Sequence, residues 1–156
     1  MNELGGYEFD DLRVGLSASF AKTITETDIV LFAAVSGDNN ALHVNAEYAA
    51  TTMFKSRIAH GMLSASLISA AIANKLPGPG SIYLSQSLRF VAPVRAGDTV
   101  HALIVIKEII PARSRVVLGT DCTVNGVVVI SGEAMVLLPA AAQMAPGRRQ
   151  AEAVIA

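Results

Sequence analysis

The sequence predicts an α+β fold in which an antiparallel β-sheet wraps around one long central helix. Helical patterns occupy the first half of the chain and β-rich runs occupy the second half. Residues 61–75 contain no acidic residue and many small ones, which is typical of a helix that is buried on most faces. Asn125-Gly126 stands between two β-rich runs and indicates a tight hairpin.

The composition excludes several classes of protein. The chain has 156 residues, of which 52% are hydrophobic and 16% charged, and its net charge is −1. These values are typical of one folded domain and exclude a disordered chain. Arg148-Arg149 is the longest basic run, which argues against nucleic-acid binding. No apolar run approaches the roughly 18 residues of a membrane helix, so we expect no membrane association.

The redox compartment follows from the cysteine count. Cys122 is the single cysteine, so no disulfide can form within the chain. Residues 1–11 show neither the basic nor the apolar region of a secretory signal. We therefore expect a cytoplasmic location.

The elements of the first half follow from local patterns. Apolar and polar residues alternate over residues 17–24, which predicts a strand. Thr25 and Asp28 have capping-box spacing, so a helix should follow and end before Gly37. A polar loop, a short helix and connecting chain then lead to the central helix, which a Pro-Gly-Pro-Gly segment ends. The predicted ranges are strand 17–24, helix 25–36, loop 38–45, helix 46–53, connection 54–60 and helix 61–75.

The second half contains four β-rich runs. Their composition and the turns between them predict successive antiparallel strands. The remaining Ala-rich segment, 140–156, is expected to be a loosely ordered tail, so the domain itself should span 1–139. The predicted strands are 81–91, 99–110, 115–124 and 127–138.

Asp38 and His43 are the first candidates for chemistry. They lie in a polar loop that can bring a carboxylate and an imidazole to one point. A carboxylate can activate a water, and histidine exchanges protons near neutral pH. Asn40, between them, could orient a side chain or a water. Taken alone the pattern is not specific, because Asp, Asn and Gly are also ordinary loop and cap residues.

Gly61, at the start of the central helix, is the second candidate. A helix N-terminus presents free N–H groups and a positive dipole end, so this amide can stabilise an oxyanion. Gly61 can equally serve to relieve crowding where the helix meets the sheet. The three histidines, His43, His60 and His101, show no tight pairing and no zinc-type spacing, so we expect no metal.

Several sequence blocks together resemble one family. They are Ser-Gly-Asp-Asn-Asn-Ala-Leu-His at 36–43, Ile-Ala-His-Gly-Met-Leu at 58–63 and Phe-Val-Ala-Pro-Val-Arg-Ala-Gly-Asp at 90–98. In this order they resemble the MaoC-like (R)-specific enoyl-CoA hydratases, which have the hotdog fold. The resemblance runs from about Gly15 to Leu138. Asp38, Asn40 and His43 match the family motif Asp-x-Asn-Pro-x-His, while Ala41 replaces its proline and loosens the loop.

The resemblance implies an α+β hotdog homodimer whose helical overhang carries the active-site loop. It implies reversible addition of water to trans-2-enoyl-CoA, giving (R)-3-hydroxyacyl-CoA, in polyester precursor supply or fatty-acid metabolism. Asp38 and His43 would hold the water jointly, and the Gly61 N–H would polarise the thioester carbonyl. Asn40 and Ser69 would support the site. No separate cofactor is expected, because coenzyme A is part of the substrate.

The acyl and coenzyme ends of the substrate need further partners. A basic side chain is expected near the phosphates, with Arg89, Arg95 and Lys55 as candidates. An apolar lining is expected for the acyl chain, although each such residue can equally be plain core. The expected lining residues are Phe32, Leu42, Met53, Phe54, Leu63 and Leu67.

Three alternatives stay open at this stage. A hotdog acyl-CoA thioesterase often carries its carboxylate on the central helix, where this chain has none. A non-catalytic acyl-CoA-binding module would need neither Asp38 nor His43. A dehydratase acting on acyl-carrier-protein substrates would use the same chemistry as the hydratase.

Overall fold

A five-stranded antiparallel sheet with strand order β1-β3-β4-β5-β2 forms the framework of the protein. The structure, a computed structural model, describes residues 1–2 and 4–138, so the expected tail at 140–156 lies outside the described residues. Short 3-10 turns occupy Phe9–Asp11 and Pro111–Arg113. The main elements are β1 Ser17–Thr23, α1 Glu26–Ser36, α2 Ala41–Val44, α3 Ala46–Thr51, α4 Gly61–Asn74, β2 Ile82–Phe90, β3 Thr99–Ile110, β4 Arg115–Val124 and β5 Val127–Leu137.

The core lies between the sheet and α4, which confirms the predicted α+β class. Helix α4 packs against β1, β3 and β4. Alternate side chains of β3 point at it, and Val100, Ala102, Ile104 and Ile106 are all 0% exposed. Because the side chains of a strand alternate between its faces, this period of two places one face of β3 in the core.

Helix α1 begins and ends where the sequence predicts. The Thr25 hydroxyl accepts the Asp28 N–H at 3.1 Å, and the Asp28 carboxylate accepts the Thr25 N–H at 2.8 Å. A hydrogen bond from Lys22, with those from Thr25, lowers the pKa of Asp28 from 3.8 to about 2. Gly37 ends the helix in the left-handed conformation, at φ 77°. The loop that follows reaches the start of α4, where the Asp38 carbonyl oxygen lies 2.9 Å from Nε2 of His60.

The β4–β5 hairpin also confirms a local prediction. Asn125 and Gly126 have φ values of 49° and 79°, as a type I′ turn requires at both central positions.

One prediction about the helices needs correction. The segment predicted as a polar loop, 38–45, contains the short helix α2, which Asn40 caps by accepting the Leu42 N–H at 3.0 Å. Helix α4 is buried on most of its faces, as the sequence predicts, and one uncharged stripe is exposed. This exposed stripe consists of Met62, Ser66, Ser69 and Ala73.

The edges of the sheet are β1 and β2. Strand β2 pairs with β5 on one side, and its other edge has no partner strand among the described residues. None of the helices in residues 1–2 and 4–138 has the length and apolar character needed to cross a membrane.

Candidate active site

A cavity of about 880 Å³ opens beside the N-terminus of α4. Its walls come from the end of α1, the segment between α3 and α4, and the segment that follows β2. Most of its lining side chains are apolar, which suits an acyl chain. The lining residues are Phe32, Ser36, Asp38, His43, Met53, Phe54, Ile58, Ala59, His60, Gly61, Met62, Ser64, Phe90, Val91, Ala92, Pro93, Val94 and Ile130.

The Asp38 carboxylate reaches this cavity because local hydrogen bonds shape its loop. The Ser36 hydroxyl accepts the Asp38 N–H at 3.1 Å, and Asp38 itself accepts the Asn40 N–H at 3.2 Å. Asn40 is exposed and caps α2. Asn40 therefore organises the loop from outside the cavity, which it does not line.

His43 is buried, with 9% of its surface exposed, and one ring nitrogen is already committed. Its Nδ1 lies 2.8 Å from the Ile58 carbonyl oxygen. Because a carbonyl only accepts hydrogen bonds, Nδ1 carries the proton. The neutral ring therefore has its lone pair on Nε2, which is free to accept a proton from a water.

The separation between the Asp38 carboxylate and the His43 imidazole suits one bridging water. A carboxylate oxygen of Asp38 and ring nitrogens of His43 and His60 all lie within 4.8 Å of one another. Two hydrogen bonds of ~2.8 Å at a tetrahedral oxygen span about 4.6 Å. One water can therefore contact the carboxylate and an imidazole at the same time.

Gly61 places a free backbone donor on the cavity wall. It is the first residue of α4, so its N–H has no intrahelical acceptor. No group among the described residues accepts this N–H. A Cβ on Gly61 would lie 2.6 Å from Cε1 of Phe90, so the aromatic ring covers this part of the helix closely. The amide can stabilise negative charge on a carbonyl oxygen that enters the cavity.

The structure brings six of the predicted site residues to this cavity: Asp38, His43, Gly61, Phe32, Met53 and Phe54.

The other predicted residues lie elsewhere. Leu63 and Leu67 belong to the core cluster on the sheet-facing side of α4, which corrects their expected place in the acyl lining. Leu42 is half-buried and Arg89 is exposed, and neither lines the cavity. Ser69 lies on the exposed stripe, two turns beyond Gly61.

His60 is the main site residue that sequence reasoning did not select. Its ring stacks on His43 at a centroid distance of 3.9 Å, a contact between two histidines that are far apart in the sequence. Its Nε2 lies 2.9 Å from the Asp38 carbonyl oxygen. Phe90 and Ser64 were also missed. The positions of His60 just before Gly61 and of Ser64 one turn later were the available signals.

The same three side chains have the chemistry of a metal-ligand set. Asp38, His43 and His60 offer ligand atoms at suitable separations. A backbone carbonyl accepts a hydrogen bond from one nitrogen of each imidazole, which leaves the other nitrogen of each ring for a water or a cation. That the site holds no metal therefore stays a prediction.

Cys122 lies in the core, as predicted. It is 0% exposed, and burial, with a smaller effect of the Asp121 charge, raises the pKa of its thiol to about 12. It is therefore not a nucleophile at neutral pH.

Comparison with known proteins places these features in a family. The family model described as "MaoC like domain" matches residues 14–126. The (R)-specific enoyl-CoA hydratase of Rhodospirillum rubrum is 58% identical over 132 residues, which cover 85% of this chain and 92% of the relative. The 3-hydroxybutyryl-CoA dehydratase of Methylorubrum extorquens is 47% identical over 137 residues, covering 88% and 87% of the two chains.

A solved structure shows the same fold. The R-hydratase PhaJ1 from Pseudomonas aeruginosa, in its unliganded form, superposes with a TM-score of 0.81 at 50% identity. The match covers 86% of each chain.

Proposed function

The chain belongs to the MaoC-like domain family, and we propose that it is an (R)-specific enoyl-CoA hydratase. This hydro-lyase adds water reversibly to trans-2-enoyl-CoA and yields (R)-3-hydroxyacyl-CoA. One observation carries the proposal: the Asp38 carboxylate and a histidine pair lie within 4.8 Å of one another on the wall of an apolar cavity that also exposes the Gly61 amide.

The proposed reaction uses these groups together. Asp38 and His43 hold one water and jointly accept one of its protons as the hydroxide attacks C3 of the enoyl thioester. The displaced π electrons move to the thioester oxygen, where the Gly61 N–H stabilises the enolate. When the enolate collapses, the proton returns from the Asp38–His43 pair to C2. The proton balance closes within the site, so no further cofactor is needed.

Activity on crotonyl-CoA tests this proposal. Loss of the enoyl absorbance, together with formation of the (R)-3-hydroxy product on a chiral column, is the expected result. Asp38→Asn and His43→Gln should lower kcat by about 10²–10⁴-fold, the range for general acid–base groups. The matched controls are Asp121→Asn and His101→Gln, which change exposed side chains outside the cavity and should keep wild-type rates.

The same assay separates the alternatives. A thioesterase would release free coenzyme A thiol without forming the hydroxyacyl product. Helix α4 carries no Asp or Glu, which favours hydration over that reaction. A binding module would bind crotonyl-CoA and leave it unchanged. Thiol release, or binding without turnover, would reject the hydratase.

We propose that basic groups beside the cavity mouth receive the coenzyme A phosphates. Lys55, Arg57 and Arg95 line a second cavity of about 380 Å³. Lys55 and Arg57 lie on the same chain segment as Met53 and Phe54 of the first cavity. Arg95 donates to the Phe54 carbonyl at 2.9 Å, so this cavity is tied to the acyl-cavity wall. Arg89 is exposed on β2 beside Phe90 and is the second candidate.

Truncated substrates test this assignment. Lys55→Gln should raise KM for crotonyl-CoA but not for crotonyl-N-acetylcysteamine, which has no phosphates. Arg89→Gln is the parallel test for the β2 site. An equal rise in KM for both substrates would show that the change acts on the cavity itself.

We also propose a homodimer. No other part of residues 1–2 and 4–138 covers the free edge of β2 or the exposed stripe of α4. Ile82 and Phe90, on β2, are 39% and 52% exposed, and an apolar strand edge of this kind favours pairing with a second copy. Sedimentation should give twice the chain mass of 16.3 kDa, and a mass near the single value would contradict the dimer.

The proposed compartment is the cytoplasm, where a cysteine such as Cys122 ordinarily stays a free thiol.

A further inference from the structure

His60 occupies the junction between the two parts of the proposed active site. It is the residue before α4, next to Gly61, and is only 1% exposed. Its Nε2 lies 2.9 Å from the Asp38 carbonyl oxygen. Its ring stacks on His43 at 3.9 Å between centroids and meets Phe32 at 5.0 Å. The buried side chain of His60 thus contacts the Asp38 backbone and the His43 ring. The backbone of His60 is joined to Gly61 by a peptide bond.

The contacts of His43 and His60 are reciprocal. His43 lies in α2 and donates from Nδ1 to Ile58, on the segment before α4, at 2.8 Å. His60 lies on that segment and donates from Nε2 back to Asp38, on the loop that leads into α2. Because both acceptors are carbonyls, both hydrogen-bond directions are fixed. The stacking of the two rings adds a third contact between the same two segments.

We infer that His60 is a positioning residue of the hydratase site, and this inference rests on the proposed function. Its hydrogen bond to Asp38 and its stacking on His43 fix the position of the Asp38 loop relative to the Gly61 amide. The water held by Asp38 and His43 must meet C3 while the Gly61 amide meets the thioester oxygen. A displacement of 1 Å between such groups can cost about 10²-fold in rate.

Ser64 extends the same arrangement by one helical turn. The His60 Nδ1 and the Ser64 Oγ are both buried, and neither has a hydrogen-bond partner among the described residues. Ser64 lies on the cavity wall, and its N–H donates to the His60 carbonyl at 3.3 Å. A hydroxyl donor complements an unprotonated Nδ1. We assign to Ser64 the role of donating to Nδ1 through one bridging water, which keeps the His60 proton on Nε2.

Two substitutions separate the hydrogen bond from the stacked ring. His60→Gln keeps an N–H donor at a reach similar to Nε2 but removes the ring. His60→Phe keeps an aromatic ring against His43 but removes the donor. Ser64→Ala removes only the hydroxyl, and His101→Gln, at an exposed histidine on β3, is the matched control.

Steady-state kinetics on crotonyl-CoA provide the first readout. His60→Phe should lower kcat by about 10–10²-fold and leave KM within about twofold, because it displaces groups that act mainly on the transition state. His60→Gln should recover at least threefold of that loss, and Ser64→Ala should show a smaller loss of kcat. Unchanged kcat in a folded His60→Phe variant would overturn the inference, as would a rise in KM alone. Equal losses in the Phe and Gln variants would overturn the role of the hydrogen bond.

The second readout does not depend on activity. Nuclear magnetic resonance of the ¹⁵N-histidine-labelled protein should show His60 protonated at Nε2 and unprotonated at Nδ1, with a slowly exchanging Nε2–H. Ser64→Ala should increase the exchange rate of that proton. If His60 carries its proton on Nδ1, the inference fails even when the wild type is an active hydratase. If the wild type lacks hydratase activity but shows the expected tautomer, the proposed function fails and the structural link stands.

Discussion

Replacing Gly61 with alanine tests whether the first amide of α4 holds the thioester oxygen. The new Cβ would lie 2.6 Å from Cε1 and 2.8 Å from Cδ1 of Phe90. Carbon atoms in ordinary contact are ~3.5–4.0 Å apart, so the ring must retreat by about 1 Å. Gly61 and Phe90 both line the cavity, so the methyl group stands where a substrate carbonyl would approach the amide.

The expected effects on folding and catalysis differ in size. The Phe90 atoms that the new Cβ meets are ring atoms at the far end of a side chain, so they can move aside without displacing the backbone. Alanine also suits a helix better than glycine by up to ~1 kcal/mol. The free energy of unfolding should therefore change by less than about 1 kcal/mol. Alanine keeps the backbone N–H, so the loss comes from the methyl group that blocks the carbonyl oxygen from reaching it. Complete loss of one oxyanion hydrogen bond lowers kcat by about 10²–10³-fold, or ~2.7–4 kcal/mol.

Four proteins complete this test: the wild type, Gly61→Ala, Phe90→Ala and the double variant. We would measure kcat and KM for crotonyl-CoA and the free energy of unfolding in urea. Gly61→Ala should stay folded and lose about 10²-fold in kcat/KM, and Phe90→Ala should raise KM modestly. The double variant should recover part of the loss, because removal of the ring leaves space for the new Cβ. A Gly61→Ala variant with nearly wild-type kcat/KM would refute the assignment of this amide.

Three further predictions concern stability, thiol reactivity and acyl length. Asp28→Asn should lower the free energy of unfolding by about 1 kcal/mol at neutral pH, because it disrupts the capping box. The pKa of Asp28 is about 2 in the folded protein and 3.8 when unperturbed, so its carboxylate stabilises the fold above the unperturbed value. In urea titrations, the difference in unfolding free energy between Asp28→Asn and the wild type should therefore shrink as the pH falls from 3.8 to about 2. Asp121→Asn is the control. A difference that does not depend on pH would contradict the reasoning. Cys122 should resist iodoacetamide in the native protein and react at one site per chain in urea, because burial raises the pKa of its thiol to about 12; fast native labelling by mass spectrometry would refute its burial. Ala92→Phe should fill part of the cavity of about 880 Å³, so kcat/KM for dodecenoyl-CoA should fall at least tenfold relative to crotonyl-CoA; an unchanged ratio would place the acyl chain elsewhere.

Short-range signals account for what the sequence by itself determined. The capping box of Thr25 and Asp28 starts α1, and Asn125-Gly126 turns the β4–β5 hairpin. In each case the residues that form the structure are neighbours, so no tertiary information is needed to predict it. The Asp38–His43 pair could be found for a similar reason, because the two residues lie close together in the sequence and match one motif.

Only the tertiary structure decided what surrounds that pair. Leu63 and His60 lie within one helical turn, yet Leu63 packs in the core while His60 faces the loop, because the docking of α4 on the sheet sets its rotation. Phe90 reaches Gly61 from a strand far along the chain. The stacking of His60 on His43 requires two separate segments to converge. Such contacts depend on how whole elements pack, and residue type and local spacing do not contain that information.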